Sequence, residues 1–255
     1  MIESLPLAVT RVTTMSGDRI LTNATGFFFE RDGALYLVTS RHVVLDEASD
    51  HHPERIEIEL HVNERNLGDT VQFSIPLYRD GKSLWREGLD SAGAVDVVAI
   101  ALERAALPAT MLARAFRPGN LYRSLDLVEM GAPVLIVGFP LGVHDTLHRL
   151  PVARQSVIAS AFGIRFQGKG CFLTDARLHR GTSGAPVVAR KSGAGRRGGA
   201  GRGDFPWMLL GVHSAKLDIV NRDSSQDESL DLNFAWYADI LMTLTRSAAA
   251  PPPKA

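Results

Sequence analysis

The chain has 255 residues, of which 45% are hydrophobic and 22% are charged, a composition typical of a globular protein with one or two domains. Its 28 Lys and Arg residues balance its 28 Asp and Glu residues, so the formal net charge is +0. That balance excludes a globally basic chain that holds nucleic acid by neutralising phosphates. The single cysteine, Cys171, excludes an intramolecular disulfide and a zinc site built on several thiolates.

Two features of the sequence bear on localisation. Residues 1–20 lack the basic head and the following apolar block that mark a signal peptide. The longest apolar run, at 132–143, is shorter than the roughly 20 residues that a membrane helix needs. We therefore expect a cytoplasmic protein that does not insert into a membrane.

Short β-strands dominate the predicted elements. Segments rich in Val, Ile, Phe and Leu are bounded by Gly, Asp, Asn or Pro, as strands usually are. In chain order they are ATGFFFE, ALYLVTS, RIEIELHV, TVQFSIPLY, VDVVAIAL, APVLIVGF, SVIASAFGIRF, GAPVVAR and WMLLGVHSA. No long amphipathic helix alternates with them, so a parallel βαβ architecture is not expected. From Phe234 onward, Ile240, Leu241 and Leu244 recur at the spacing of one helix face, which predicts a helix over 234–247.

The turn-forming run RPGN at 117–120 predicts a division of these strands into two halves. The predicted fold is all-β, a pair of β-barrels with a carboxy-terminal α-helix, together forming one domain. Its predicted parts are a first barrel at 1–120, a second barrel at 121–233, the helix at 234–247 and a flexible tail at 248–255.

Three polar residues stand where the sequence favours chemistry. His42 directly follows a predicted strand, so its imidazole is held at a strand end. Asp96 opens an otherwise apolar strand, where a buried carboxylate is costly unless it has a hydrogen-bonded partner. Asp90 is the alternative candidate for a carboxylate that partners the histidine, but it lies in a polar stretch that predicts a loop. Ser183 lies in the run GTSG at 181–184, whose small residues permit a tight turn with backbone N–H groups pointing at one spot, as an oxyanion hole requires.

The order and spacing of these three blocks resemble trypsin-like serine peptidases of the chymotrypsin fold, particularly the HtrA-like and glutamyl-endopeptidase-like bacterial branch. The runs ATGFFFERDGALYLVTSRHVV, VGFPLGV, TDA and LGVHS add to the resemblance, which spans about residues 24–245. It implies two six-stranded antiparallel β-barrels, the first with His42 and Asp96 and the second with Ser183. We expect no PDZ-like module of the kind that HtrA proteins carry.

By this resemblance the protein is a serine endopeptidase that cuts polypeptides through an acyl-enzyme and needs no cofactor or metal. Ser183 would be the nucleophile, His42 the general base and then acid, and Asp96 the group that orients the imidazole. The backbone of Gly181, Thr182 and Ser183 would form the oxyanion hole. Thr182 stands where digestive members carry an aspartate that pairs with a newly cut amino terminus, so zymogen activation of that kind is not expected.

The predicted substrate pocket combines residues just before the nucleophile with the strand after it. Its members are Arg177, Leu178, His179, Arg180, Val212, His213, Ser214 and Ala215. The run GVHSA resembles the strand on which glutamyl endopeptidases place a histidine that recognises Glu or Gln before the scissile bond. The alternative is that His213 is a half-buried strand residue and that the pocket takes small aliphatic side chains. Arg177 stands where trypsin carries its basic-substrate-binding aspartate, so cleavage after Lys or Arg is not expected.

Other enzyme classes fit the sequence less well. An α/β-hydrolase needs Gly-x-Ser-x-Gly and the order Ser, acid, His, whereas Ala185 replaces the last glycine and the order here differs. The histidine pairs at 144/148 and 51/52 lie among Gly, Pro and Asp, which predicts solvated loop residues rather than metal ligands.

One functional alternative remains open. The same fold could serve as a latent or partner-activated binding module, since a sequence does not show whether the oxyanion loop is correctly oriented. A regulatory partner would then dock through the Gly- and Arg-rich run 191–204, which is predicted to be a mobile loop, or through the acidic run 223–231.

Overall fold

The computed structural model describes residues 3–122, 128–191, 205–216 and 231–246, which form mostly β-structure. The strands are β1 Val9–Ser16, β2 Arg19–Arg31, β3 Ala34–Thr39, β4 Arg55–His61, β5 Thr70–Pro76, β6 Tyr78–Arg79, β7 Lys82–Ser83, β8 Trp85–Asp90, β9 Gly93–Leu102, β10 Pro133–Gly138, β11 Val152–Ile158, β12 Cys171–Asp175, β13 Pro186–Arg190, β14 Trp207–Lys216 and β15 Leu232–Tyr237. The helices are α1 Arg41–Val44 and α2 Ile240–Leu244. Among these residues, neither helix has the length or the apolar character needed to cross a bilayer.

The first half of the chain forms a seven-stranded antiparallel sheet in the order β5-β4-β1-β2-β3-β9-β8. The burial pattern of β4 shows how the sequence gives this sheet a buried face: Ile56, Ile58 and Leu60 are buried, whereas Glu57 and Glu59 between them are partly exposed. Because successive side chains of a strand point to opposite faces, this pattern buries one face and leaves the other in water. The buried faces of these strands make the core of the first half.

The second half forms a closed six-stranded barrel in the order β10-β11-β12-β15-β14-β13, with antiparallel neighbours throughout. The barrel closes where β10 pairs with β13, with Leu135 opposite Val188 and Ile136 opposite Val187. A closed barrel leaves no strand edge unpaired, which protects it from pairing with other chains.

The prediction of two six-stranded barrels is therefore correct for the second half only. The sheet of the first half has seven strands, and its edge strands β5 and β8 share no backbone ladder within the described residues. The chain between them, residues 77–84, pairs with itself as the hairpin β6–β7 and extends neither edge. Pro76 at the end of β5 also lacks the N–H group that a ladder requires.

A shared apolar core holds the two halves together. Phe116, in the connection between them, packs edge-to-face against Phe27 of β2 and against Phe205, with ring centroids 5.5 and 4.9 Å apart. Buried aromatic pairs of this kind add roughly 0.5–1.5 kcal/mol beyond the area that they bury. Leu241 and Leu244 of α2 join the same core, so the carboxy-terminal helix packs onto both halves.

The predicted helix at 234–247 starts too early. Phe234 belongs to β15, where it lies opposite Leu173 of β12, and the helix begins only at Ile240. Strand pairing with a distant segment outweighs the local helical spacing, because the side chains of β15 alternate between two buried surfaces. The predicted mobile loop beyond Lys191, the acidic run before residue 231 and the tail lie outside the described residues.

Candidate active site

His42 sits in the single helical turn α1 directly after β3, as its position in the sequence predicts. Its backbone N–H donates to Asp96 Oδ1 at 2.8 Å, and its ring Nδ1 lies 2.7 Å from Asp96 Oδ2. A carboxylate only accepts hydrogen bonds, so Nδ1 carries the proton. In the neutral imidazole the unprotonated nitrogen is therefore Nε2, which is free to accept a proton.

Asp96 is held from a second side by the strand that carries the predicted pocket. The hydroxyl of Ser214 in β14 donates to Asp96 Oδ2, the same oxygen that receives the imidazole. The carboxylate therefore accepts three hydrogen bonds, from the backbone N–H and the imidazole of His42 and from the hydroxyl of Ser214, in a partly buried place near the start of β9. The sequence predicted Ser214 as a pocket residue; its side chain instead supports the acid.

Asp90, the alternative candidate for the acid, binds other partners than His42. It ends β8, and its carboxylate binds Arg165 at 2.7 Å and the N–H of Gly170 at 3.0 Å. Burial raises the pKa of Asp90, but hydrogen bonds from the backbone of Ala92 and Gly170 and from Arg165 outweigh burial, so its pKa lies below the ordinary value. The structure pairs His42 with Asp96 and not with Asp90.

The pKa of His42 is raised above the ordinary value for histidine. Burial alone would lower it, but the hydrogen bond and the charge of Asp96 favour the protonated ring, and the charge of Asp46 adds to them. The site thus makes the imidazole a stronger base than free histidine and stabilises the imidazolium once it forms.

The loop that carries Ser183 is anchored to both halves of the molecule. The carbonyl of Ser183 accepts the N–H of Thr25 in β2 at 3.0 Å, and the N–H of Gly184 donates to the carbonyl of His213 at 2.8 Å. The Ser183 hydroxyl donates to the carbonyl of Ser214 at 3.1 Å. Proton transfer to His42 therefore requires this hydroxyl to leave Ser214 and turn to the imidazole.

Two N–H groups of this loop have no hydrogen-bond partner among the described residues. The N–H groups of Thr182, Gly184 and Ala185 donate to carbonyls, whereas those of Gly181 and Ser183 do not. Thr182, the third predicted member of the oxyanion hole, instead donates its N–H to the carbonyl of His179 at 3.3 Å and closes a turn. The N–H groups of Gly181 and Ser183 thus remain available to a ligand as far as the described residues show.

The orientation of the Gly181 N–H follows from that of the Arg180 carbonyl, which belongs to the same peptide group. The carbonyl of Arg180 accepts the N–H of Leu141 at 2.6 Å. Carbonyl and N–H point in opposite directions across a trans peptide, so the Gly181 N–H points away from Leu141. Gly181 has φ +95°, and a Cβ there would overlap the carbonyl oxygen of Phe139. Only glycine fits this conformation and this space.

Comparison with known protein families decides the class of this site. Residues 24–194, more than half of the chain, match the trypsin-like peptidase domain. The chain belongs to the trypsin-like peptidase family. It is accordingly a serine endopeptidase. A comparison with curated proteins finds no match.

Solved structures agree with this peptidase in fold. The Rv3671c protease from M. tuberculosis in its active form is 16% identical with a TM-score of 0.52, over 98% of this chain and 84% of that chain. The HtrA-type protease AlgW with tripeptide is 16% identical with a TM-score of 0.53, over 93% of this chain and 58% of that chain. A serine endoprotease from Yersinia pestis is 15% identical with a TM-score of 0.51, over 93% and 61%. The peptidase thus spans less than two thirds of the last two proteins.

The predicted pocket residues of the peptidase fall into three groups. Leu178 and Val212 are buried in apolar clusters. Arg177, His179 and Arg180 are exposed, and the guanidinium of Arg177 lies 3.9 Å from Asp231. The backbone of Ala215 continues β14. His213, the residue on which the predicted specificity depends, is a case of its own.

His213 is buried and neutral. Burial, and then the positive charge of His42, lower the pKa of His213 to about 3. On β14 its side chain alternates with that of Ser214, which binds Asp96. Within the described residues its Nδ1 is enclosed and has no hydrogen-bond partner, which is costly for a buried polar atom.

His144 and His148, which were predicted to be loop residues, form hydrogen bonds with residues two or three positions away. His144 Nδ1 lies 2.6 Å from the carbonyl of Gly142, and His148 Nδ1 lies 2.7 Å from Asp145 Oδ2. No group of three or more His, Cys, Asp or Glu side chains that could hold a metal occurs within the described parts of the chain.

Proposed function

We propose that this serine endopeptidase acts through Ser183, His42 and Asp96 and forms an acyl-enzyme on Ser183. The observation that carries the proposal is the 2.7 Å contact between His42 Nδ1 and Asp96 Oδ2, because it leaves Nε2 as the basic nitrogen. The two N–H groups of Gly181 and Ser183 without partners support the same assignment. Nucleophile, base, orienting acid and oxyanion donors are thus all supplied by this chain.

The reaction divides into acylation and hydrolysis. The Ser183 hydroxyl passes its proton to His42 Nε2 while its oxygen attacks the scissile carbonyl carbon. The Gly181 and Ser183 N–H groups bind the oxyanion, and removing one such donor typically costs about 100- to 1,000-fold in rate. His42 then protonates the leaving amine, and a water activated by the same imidazole releases the acyl group.

The test is hydrolysis of a fluorogenic protein substrate by the wild type, Ser183→Ala and Ser74→Ala. Ser74 is an exposed residue of the edge strand β5 and serves as the matched control. We expect hydrolysis by the wild type and the control and none by Ser183→Ala. Equal hydrolysis by Ser183→Ala would contradict the assignment of the nucleophile.

We further propose that the residue before the scissile bond is Glu or Gln, recognised by His213. The support is that His213 lies on β14 beside Ser214, which binds Asp96, and that its Nδ1 has unused hydrogen-bonding capacity among the described residues. Because the lowered pKa keeps His213 neutral, it binds by hydrogen bonds rather than by charge, and Gln and Glu should be accepted to similar extents.

A panel of peptides that differ only at that residue tests this preference. We expect faster turnover of the Gln and Glu peptides than of the Ala and Lys peptides by the wild type, and loss of this difference in His213→Leu. Equal turnover of Glu and Ala peptides by the wild type would refute the preference, whatever the variant does.

A latent resting state is the second candidate, and one observation favours it. The Ser183 hydroxyl binds the carbonyl of Ser214 rather than the imidazole. A partner that occupies the cleft would then favour the rotamer in which the hydroxyl meets His42. Hydrolysis and fluorophosphonate labelling that appear only after a partner is added would support this state; hydrolysis by the purified protein alone would exclude it.

A further inference from the structure

Thr25 occupies a junction between the first sheet, the second barrel and the nucleophile loop. It lies in β2 and is completely buried. Its hydroxyl donates to the carbonyl of Gly181 at 2.7 Å and accepts the N–H of Phe139, just after β10, at 3.1 Å. Its backbone N–H donates to the carbonyl of Ser183 at 3.0 Å. One residue thus binds the loop at two points.

The direction of these hydrogen bonds is fixed by chemistry. The N–H of Phe139 can only donate, so the Thr25 oxygen accepts there and its single proton goes to the Gly181 carbonyl. The space around the hydroxyl is equally restricted, since a Cβ on Gly138 would lie 2.6 Å from Thr25 Oγ1 and 3.2 Å from its methyl carbon. The carbonyl of Thr25 is itself fixed by the hydroxyl of Thr39 at 2.8 Å.

Gly181 is therefore held on both sides of its Cα. The peptide before it is fixed by the hydrogen bond from Leu141 to the carbonyl of Arg180, and the peptide after it by the hydroxyl of Thr25. A glycine has wide conformational freedom, and fixing both peptide planes restricts it to the observed φ of +95°. That conformation directs the Gly181 N–H into the proposed oxyanion hole.

We propose that Thr25 is a positioning residue for the oxyanion hole, an inference that rests on the function proposed for Ser183 and Gly181. Thr182 makes only a local contribution, since its hydroxyl donates to the carbonyl of His179 at 2.7 Å. Thr25 thus connects the loop to the first sheet, whereas the hydroxyl of Thr182 only closes a turn within the loop.

The experiment compares kcat and KM of the wild type, Thr25→Val and Thr25→Ser. Valine keeps the shape and removes the hydroxyl, whereas serine keeps the hydroxyl and removes the methyl group. We expect Thr25→Val to lower kcat by about 10- to 100-fold with little change in KM, because a misplaced donor weakens binding of the transition state more than binding of the substrate. Thr25→Ser should restore kcat to within about threefold of the wild type.

Thr14→Val is the matched control. Thr14 is also completely buried in the first sheet, and its hydroxyl binds the hydroxyl and carbonyl of Thr22, away from the site. It should lower the melting temperature and leave kcat unchanged. If Thr25→Val does not fold, Thr25→Cys, whose thiol is a weak donor, should give a kcat between those of the wild type and the Ser183→Ala background.

The results separate the two claims. A wild-type kcat in folded Thr25→Val or Thr25→Cys, or an equal loss in Thr25→Ser and Thr25→Val, would overturn the role of Thr25 while the wild type remains an active Ser183 peptidase. If folded Ser183→Ala hydrolyses the substrate as fast as the wild type, the proposed function is overturned, and the positioning role of Thr25 with it.

Discussion

The substitution Gly181→Ala isolates the contribution of the oxyanion loop. At φ +95° an alanine is strained, and its Cβ would overlap the carbonyl oxygen of Phe139 and lie 3.2 Å from the N–H nitrogen of Leu141. Both neighbours are backbone atoms with little freedom to move, so the loop must shift and carry the Gly181 N–H away from the oxyanion. Losing one such donor predicts a fall in kcat of about 100- to 1,000-fold.

Gly33→Ala is the control for backbone strain. Gly33 has φ +79°, close to that of Gly181, but a Cβ there would meet nothing within 4 Å. A left-handed alanine costs roughly 1–2 kcal/mol, which should lower the melting temperature of a protein of this size by about 2–8 °C. Its kcat should stay at the wild-type value, because Gly33 lies in the turn between β2 and β3, away from the site.

The assay is steady-state hydrolysis of a fluorogenic peptide together with a thermal melt for each variant. Gly181→Ala should remain folded at 25 °C, lose most of its kcat and keep a KM near that of the wild type. Wild-type kcat in folded Gly181→Ala would refute the argument, because the loop would then not need glycine to present its N–H group.

Three further outcomes follow from the same geometry. Asp96→Asn should lower kcat by about 10,000-fold, because the amide favours the wrong tautomer of His42. The raised pKa of His42 predicts that activity is lost as the pH falls through a value above the ordinary histidine pKa, and Asp46→Asn should move this acid limb of the kcat/KM profile to lower pH. Burial raises the pKa of Cys171 to about 11, so its thiol should react with a thiol reagent in denaturant but not in the native protein.

The positions of the main site residues could be predicted from short motifs. His42 follows its strand, Asp96 opens an apolar strand and Ser183 lies in a run of small residues, and each of these signals is local. The choice of Asp96 over Asp90 also followed from local polarity, and the structure pairs Asp96 with His42. Local patterns therefore locate side chains well when a motif and its flanking strand agree.

Features that depend on distant pairing could not be predicted. Thr25 binds Phe139 and Gly181, which are 114 and 156 residues away in the chain, so no window of sequence contains its partners. The start of α2 was placed too early because Phe234 pairs with Leu173 of a distant strand. The open edge of the first sheet likewise depends on how residues 77–84 pair.

The oxyanion donors show the same limit at shorter range. Thr182 lies between two residues whose N–H groups have no partner among the described residues, yet its own N–H turns back to His179. The direction of each N–H depends on the backbone angles of the loop, and those of Gly181 are held by the hydrogen bonds from Leu141 to the Arg180 carbonyl and from Thr25 to the Gly181 carbonyl. The residue types alone do not reveal which N–H groups remain free.

The most direct test of the account is covalent labelling of the folded protein with a fluorophosphonate, followed by mass analysis of the labelled peptide. An activated serine reacts with this probe, whereas an ordinary hydroxyl does not. The account predicts one label per chain on Ser183, and loss of labelling in His42→Ala and Ser183→Ala. Labelling of another serine, or undiminished labelling in His42→Ala, would contradict it.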